Sequence, residues 1–259
     1  MSLSNENSMK LQDEKRGSSA EPLKINLIDT KMVSKTVCII KTAHGDQGAG
    51  ALYRVVDGQS KERFLIMTCN HVLPTTSLKE IMQATFEFKE IQQMSSMSLS
   101  KEHIKFVWTS KILDATVIEI TIQTALLYSS YGALFLTIGE AELHAKIFLL
   151  QYPHGTDNIA HGEIDKLEGT DVFYRMKEVT GGSGSPIVTR DCVALAMNKA
   201  DVGAVSVDQS ITRCKATSLS AVVKAYLEEI SEVDQKTNFL IEQLNSLRCV
   251  IKKNLICNI

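Results

Sequence analysis

The segment Thr180-Gly-Gly-Ser-Gly-Ser-Pro-Ile-Val188 sets Ser183 among glycines just ahead of an apolar run. Three chemistries could use such a loop. A phosphate cradle requires a lysine after the last glycine and a helix behind it. Here Pro186, Ile187 and Val188 follow and read as a strand. The nucleophile elbow of an α/β-hydrolase needs G-x-S-x-G between a strand and a helix, whereas position 185 is serine and no helix follows. The third use is a loop whose backbone amides turn inward around Ser183. Glycines free the φ angles that such an anion-binding nest requires, and a nest of this kind can hold the oxyanion of a tetrahedral acyl intermediate. Taken alone, the motif also reads as an ordinary turn.

A serine hydroxyl is a weak nucleophile until a base takes its proton, and the base needs an orienting partner. Of the six histidines, His71 stands apart because it ends the apolar run FLIMTCN and precedes Val-Leu-Pro, where a strand gives way to a turn. His44, His154 and His161 lie in Gly- and Asp-rich stretches, and His103 and His144 lie near glutamates, so these five read as surface residues. A structural role for His71 stays open beside the catalytic one. The candidate carboxylate is Asp114 in LDATVIEI. An aspartate among apolar residues must find hydrogen bonds or suffer desolvation. Asp114 could meet an imidazole N–H, or start its strand and accept backbone amides. Glu119 shares that strand and reads as facing solvent.

These residues need elements to hold them. The runs SKTVCIIKT, GALYRVV, RFLIMTCN, ATFEFKE, IKFVWTS, ATVIEITI, AKIFLLQY, DVFYRM, SPIVT and CVALAMN read as strands. Few segments between them are long or periodic enough to be crossover helices, which favours an antiparallel all-β barrel or sandwich. Near the end, SLSAVVKAYLEEI offers Ser218 or Ser220 as an N-cap and repeats Val222, Val223, Tyr226, Leu227 and Ile230 at helical spacing. Residues 233–259 carry Leu240, Leu244, Leu247 and Ile251 on one helical face. Residues 1–22 are polar, rich in Ser, Glu and Lys, and expected to be disordered.

Composition bounds the possibilities. The 259 residues are 44% hydrophobic and 22% charged, which suits a globular chain with a full core. A formal net charge of -2 and the lack of an aromatic-basic motif argue against nucleic acid as partner. TALLYSSYGALFLTIG is the most apolar stretch, but polar residues interrupt it, so no membrane span is expected. The six cysteines form no C-x-x-C pair, and residues 1–22 lack the basic and apolar regions of a secretory signal, so none is expected. Reduced thiols and an intracellular setting are the expectation.

Together TCNHVLP, LDATVIEI and GGSGSPIV, in the order His, Asp, Ser, resemble the chymotrypsin/trypsin-like serine peptidases. The closest likeness is to their disulfide-free intracellular branch, which includes the HtrA-like enzymes. GDQGAGALYRV resembles the glycine-containing strand before the histidine motif, and IFLLQYPHGTDNIAHGEID the stretch between aspartate and serine. CVALAMNKA resembles the strand that lines the primary specificity pocket. The resemblance spans about Val33 to Ile230.

The resemblance implies two packed six-stranded antiparallel β-barrels within a domain of residues 23–232. Barrel one, about 33–123, would carry His71 and Asp114; barrel two, about 131–217, would carry Ser183; a helix over 218–230 would close the domain. It further implies His71 as general base, Asp114 as its orienting partner, Ser183 as nucleophile, and the backbone N–H groups of Gly181 and Ser183 as the oxyanion hole. Lys177 falls near the pocket floor and Asn198, Lys199 and Ala200 near its wall. An inward lysine would favour an acidic P1 side chain; alternatively Lys177 faces solvent and the pocket is lined otherwise. Ser185 replaces the usual second glycine. Gly182 stands where zymogen-activated members carry aspartate, so activation by N-terminal cleavage is not expected. The expected function is an intracellular serine endopeptidase acting on polypeptides without cofactor or metal. The alternative is a catalytically silent module of the same fold that binds peptides or protein partners. The helix over 233–259 could serve self-association or docking.

Overall fold

Short runs rich in valine, isoleucine and leucine, broken by Gly, Asp and Ser, favour paired strands over long helices. In the computed structural model, which describes residues 27–45, 47–151, 158–177, 182–204, 211–234 and 236, such runs build two sheets. The expected disorder of residues 1–22 lies outside the described residues, as does nearly all of the helix expected over 233–259.

The first sheet contains β1 (Val37–Lys41), β2 (Gln47–Val56), β3 (Glu62–Thr68), β4 (Thr85–Glu87), β5 (Met97–Ser98), β6 (Ile104–Ser110) and β7 (Ala115–Ile120). Its order is β5-β4-β1-β2-β3-β7-β6, with every pair antiparallel. The second contains β8 (Thr137–Ile138), β9 (Lys146–Gln151), β10 (Asn158–Glu168), β11 (Asp171–Lys177), β12 (Pro186–Val188), β13 (Val193–Ala204) and β14 (Ile211–Ser218). An extra β12–β13 pairing closes strands β9 to β14 into a six-stranded barrel, and β8 joins β13 in parallel. The first sheet is an open half-barrel, with no closing ladder among the described residues. The architecture is thus the expected all-β pair of packed barrels, with the first less complete than a closed six-stranded one.

Burial explains the apolar texture around the aspartate motif. All six positions of β7 are buried, between β3 on one edge and β6 on the other. Strands covered on both faces lose the usual alternation. Glu119 is therefore not a solvent-facing residue, as its sequence position suggested. It is 2% exposed and accepts hydrogen bonds from Arg63 Nη1 at 3.1 and 3.2 Å, Lys105 Nζ at 2.5 Å and Tyr226 Oη at 2.7 Å. Arg63 Nε also donates to Asp57 Oδ2 at 3.0 Å. A buried carboxylate needs this density of donors to offset its desolvation.

Three short helices accompany the first sheet: α1 (Leu27–Ser34), α2 (Leu78–Gln83) and α3 (Ile122–Ser130). The stretch TALLYSSYGALFLTIG becomes α3, a turn at Gly132, and β8, linking the two sheets. Thr121 caps α3 by accepting from Thr124 N at 3.3 Å. The closing helix α4, residues 219–234, has Ser218 at its cap, whose Oγ accepts from Ala221 N at 3.4 Å. Its buried side chains Leu219, Val222, Tyr226 and Ile230 pack on the core of the first sheet, at about 1.5–3 kcal/mol for each large apolar side chain buried. Tyr226 thus anchors α4 twice, by its ring near Phe106 and Trp108 and by its hydroxyl on Glu119. Among the described residues no helix is long and apolar enough to cross a membrane.

Candidate active site

His71 lies just beyond β3, where the chain turns sharply. The amides of Val72 and Leu73 both donate to Cys69 O at 3.2 Å. Thr116 Oγ1 on β7 donates to Leu73 O at 2.7 Å, and Asn70 Nδ2 bonds Thr109 Oγ1 on β6. The turn is thereby fastened to the hairpin that carries the aspartate.

Asp114 closes that hairpin. It is the last residue of the turn between β6 and β7, so it precedes its strand rather than lying within it. Its φ is 48°, in the left-handed region that Asp tolerates better than most residues. The two open uses of its carboxylate are both realised. Oδ2 lies 2.8 Å from His71 Nδ1, and Oδ1 accepts the His71 backbone N–H at 2.9 Å. One carboxylate therefore holds both the ring and the backbone of the histidine.

The electrostatics agree with this pairing. The hydrogen bond to Asp114 raises the His71 pKa above that of a free imidazole; partial burial works against the shift, and the carboxylate charge adds to it. Burial would raise the pKa of Asp114, but hydrogen bonds from the His71 ring and amide, with the charges of His71 and Lys199, bring it below the ordinary aspartate value. An ionised carboxylate only accepts, so Nδ1 carries the proton and neutral His71 keeps a lone pair on Nε2.

Ser183 approaches from the second sheet. Its carbonyl accepts Ala49 N of β2 at 2.7 Å, a bond between the two barrels. A Cβ on Gly48 would meet Val72 Cγ2 at 2.5 Å and Ser183 O at 3.1 Å, so this bare stretch of β2 touches both the histidine turn and the serine loop. Gly184 has a φ of +88°, and a Cβ there would sit 1.9 Å from Ala49 O and 2.8 Å from Thr68 Oγ1. Only glycine fits between the barrels at that point.

Two more bonds tie the site across the seam. Cys69 Sγ donates to Asn198 O at 3.2 Å, and Thr217 Oγ1 donates to Leu113 O at 2.8 Å. Each lies within two residues of His71 or Asp114. Asn198 also organises the serine loop: its carbonyl accepts Gly184 N at 2.8 Å and its amide donates to Ser185 O at 2.9 Å. Its buried side-chain Oδ1 accepts Tyr174 Oη at 2.7 Å. The residue expected on a pocket wall is thus a buried hub behind the serine. Nothing in the sequence marked Thr217 or Tyr174 for these roles.

The other expected site residues divide. Gly181 lies outside the described residues. Lys177 and Ala200 lie on β11 and β13, and their side chains also fall outside what is described. Lys199 is nearly buried, with Nζ 2.6 Å from Asp171 Oδ1. Among the described residues, no hydrogen bond joins Ser183 Oγ to His71, and the Ser183 N–H donates to no acceptor. The structure thus brings His71 and Asp114 into direct contact and the Ser183 loop to the same seam.

Cys69, His71 and Asp114 also bring ligand-type atoms within 4.8 Å of one another. A metal there would have to deprotonate the Cys69 thiol, whose pKa burial pushes strongly upward, and break the His71–Asp114 bond. The donor set suits an acid–base pair better than an ion.

Two packed β-barrels with this seam define the trypsin-like serine peptidase fold. No known family profile matches the chain, and no curated protein matches it in sequence. Solved structures do share its fold. An inactive form of Rv3671c from M. tuberculosis H37Rv superposes with a TM-score of 0.55 at 14% identity, covering 80% of this chain and 93% of that one. The active form of that protease gives 0.53 at 14% identity, covering 79% and 85%. Deg5 gives 0.52 at 14% identity, covering 83% and 95%.

Proposed function

We propose that the protein is a serine endopeptidase whose nucleophile is Ser183, with His71 as general base and Asp114 as orienting carboxylate. The observation that carries this reading is the two-point grip of Asp114 on His71, through Nδ1 and the backbone amide, beside the Ser183 loop. In the reaction His71 Nε2 takes the Ser183 hydroxyl proton as Oγ attacks a scissile carbonyl. The imidazolium then gives that proton to the leaving amine, and water releases the acyl group by the same steps in reverse. Asp114 holds the required tautomer and stabilises the imidazolium. The Ser183 N–H, together with that of Gly181, would donate to the oxyanion, each such donor being worth about 3 kcal/mol.

The absence of a Ser183–His71 hydrogen bond favours a second reading, a peptidase-fold module that binds polypeptide without cleaving it. Geometry at rest can tighten on substrate binding, so chemistry decides between them. A fluorophosphonate probe should label wild-type protein at Ser183, and should fail to label Ser183→Ala and His71→Ala. Folded wild-type protein that resists the probe would sink the catalytic reading and leave the binding module. The intracellular setting expected from the cysteines remains part of this proposal, testable by fractionation.

A further inference from the structure

The outer face of the second barrel carries charge in an unusual arrangement. Asp165 is shared by two cations, Arg175 Nε at 2.9 Å and Arg213 Nη2 at 3.2 Å. Asp171 is likewise shared by Lys199 Nζ at 2.6 Å and Lys215 Nζ at 2.7 Å. Among the described residues, each triplet keeps one positive charge more than its carboxylate balances. Phe173 lies between them, with Arg213 Cζ at 5.4 Å, Lys215 Nζ at 5.6 Å and Lys166 Nζ at 5.4 Å from its ring centre. Lys166 also pairs with the exposed Glu168 at 2.7 Å. Five cations therefore face three carboxylates on a chain whose net charge is -2.

The strip reaches the candidate site. Lys199 follows Asn198, whose carbonyl holds both Gly184 and Cys69. Asp171 pairs across the ladder with Thr217, which holds Leu113 beside Asp114. Along β14, Arg213 and Lys215 are two residues apart on one face of the sheet. That spacing of about 6.8 Å matches alternate side chains of an extended peptide.

We propose that this face, from Lys199 to Lys166, docks an acidic, extended segment of the polypeptide substrate. The inference rests on the peptidase reading for its substrate but not for its test. Nucleic acid is the poorer occupant, because three carboxylates sit along the strip and its ring, Phe173, already faces cations, where stacking would need free aromatic faces.

The test uses full-length Ser183→Ala protein and fluorescence anisotropy with a labelled peptide of alternating Glu and Ser, beside its Gln counterpart. The Glu peptide should bind about tenfold more tightly, equivalent to about 1.4 kcal/mol, and the gap should narrow as salt is added. Combining Lys166→Gln, Arg213→Gln and Lys215→Gln should erase most of the gap. Each aspartate keeps one partner in that variant, Arg175 or Lys199, so no carboxylate is stranded; an unchanged circular dichroism spectrum would verify folding. Lys215→Gln alone should narrow the gap part of the way and serves if the triple variant does not fold. Equal binding of the two peptides, or a gap that survives in the folded variants, overturns the proposal. So does an oligouridylate that displaces the Glu peptide at lower concentration than the peptide itself. Tight, charge-dependent binding in a protein whose wild type resists the fluorophosphonate would uphold the strip and refute the peptidase reading alone.

Discussion

Replacing Gly184 by alanine tests whether the seam between the barrels is as tight as the backbone indicates. The new Cβ would lie 1.9 Å from Ala49 O, where ordinary contact begins at 3.4 Å, so the loop and β2 must part by roughly 3.4 − 1.9 = 1.5 Å. Such a shift takes the 2.7 Å bond between Ala49 N and Ser183 O out of hydrogen-bonding range. Left-handed backbone with a side chain costs about 1–2 kcal/mol and the lost bond about 0.5–1.5 kcal/mol, so the sum is about 1.5–3.5 kcal/mol. For a domain of this size that lowers Tm by roughly 3–14 °C. Gly45 supplies the control, since its φ is +89° but nothing lies within 4 Å of a Cβ there. Gly45→Ala should show only the backbone part. Thermal unfolding of both variants by circular dichroism, with fluorophosphonate labelling of the same samples, separates the two effects. If Gly184→Ala melts no lower than Gly45→Ala and labels as fast as wild type, the seam does not position Ser183 as described.

Three further outcomes follow from the same structure. Because Asp114 raises the His71 pKa and only the neutral ring accepts a proton, kcat/KM should rise with pH through a midpoint above the 6.5 of a free imidazole; Asp114→Asn should lower kcat by about 10⁴-fold, and a midpoint at or below 6.5 in wild type would contradict the pairing. Arg63→Ala should destabilise by about 3–5 kcal/mol by removing the buried one of the two cations that pair with Glu119, while Tyr226→Phe should cost about 1.5–3 kcal/mol by removing one bond to that carboxylate; chemical denaturation measures both, and equal, negligible losses would mean that the network is not a linked unit. Among the described residues Ser185 Oγ is buried without a hydrogen-bond partner, so Ser185→Ala should raise stability by about 1 kcal/mol, and a clear loss would show that the hydroxyl has a role.

Some of this protein was legible from its residues alone. His71, Asp114 and Ser183 could be singled out because their chemistry is demanding: a serine among glycines, a histidine closing an apolar run, and an aspartate where desolvation must be answered. Six of the seven strands of the first sheet were equally readable, since they contain runs of β-branched or apolar side chains; the two-residue β5 was not. The capped face of α4 was readable from its helical spacing. What escaped were elements whose character depends on distant neighbours. β10 and β14 carry many polar residues on an outer face and do not look like strands until β9, β11 and β13 supply their ladders. Glu119 looked solvent-facing because nothing local shows that Arg63, Lys105 and Tyr226 converge on it from other elements.

The sequence by itself determined which side chains could do acid–base and nucleophilic chemistry, because pKa range, nucleophilicity and glycine freedom are properties of the residues. Tertiary structure alone decided how they meet: that one carboxylate grips His71 at two atoms, that Ser183 is tied to β2 through a gap only Gly184 can fill, and that two aspartates on the far sheet each hold two cations. Hydrogen bonds act over about 3 Å, while the partners here lie tens of residues apart along the chain. Only the packing of the two barrels brings them within that reach.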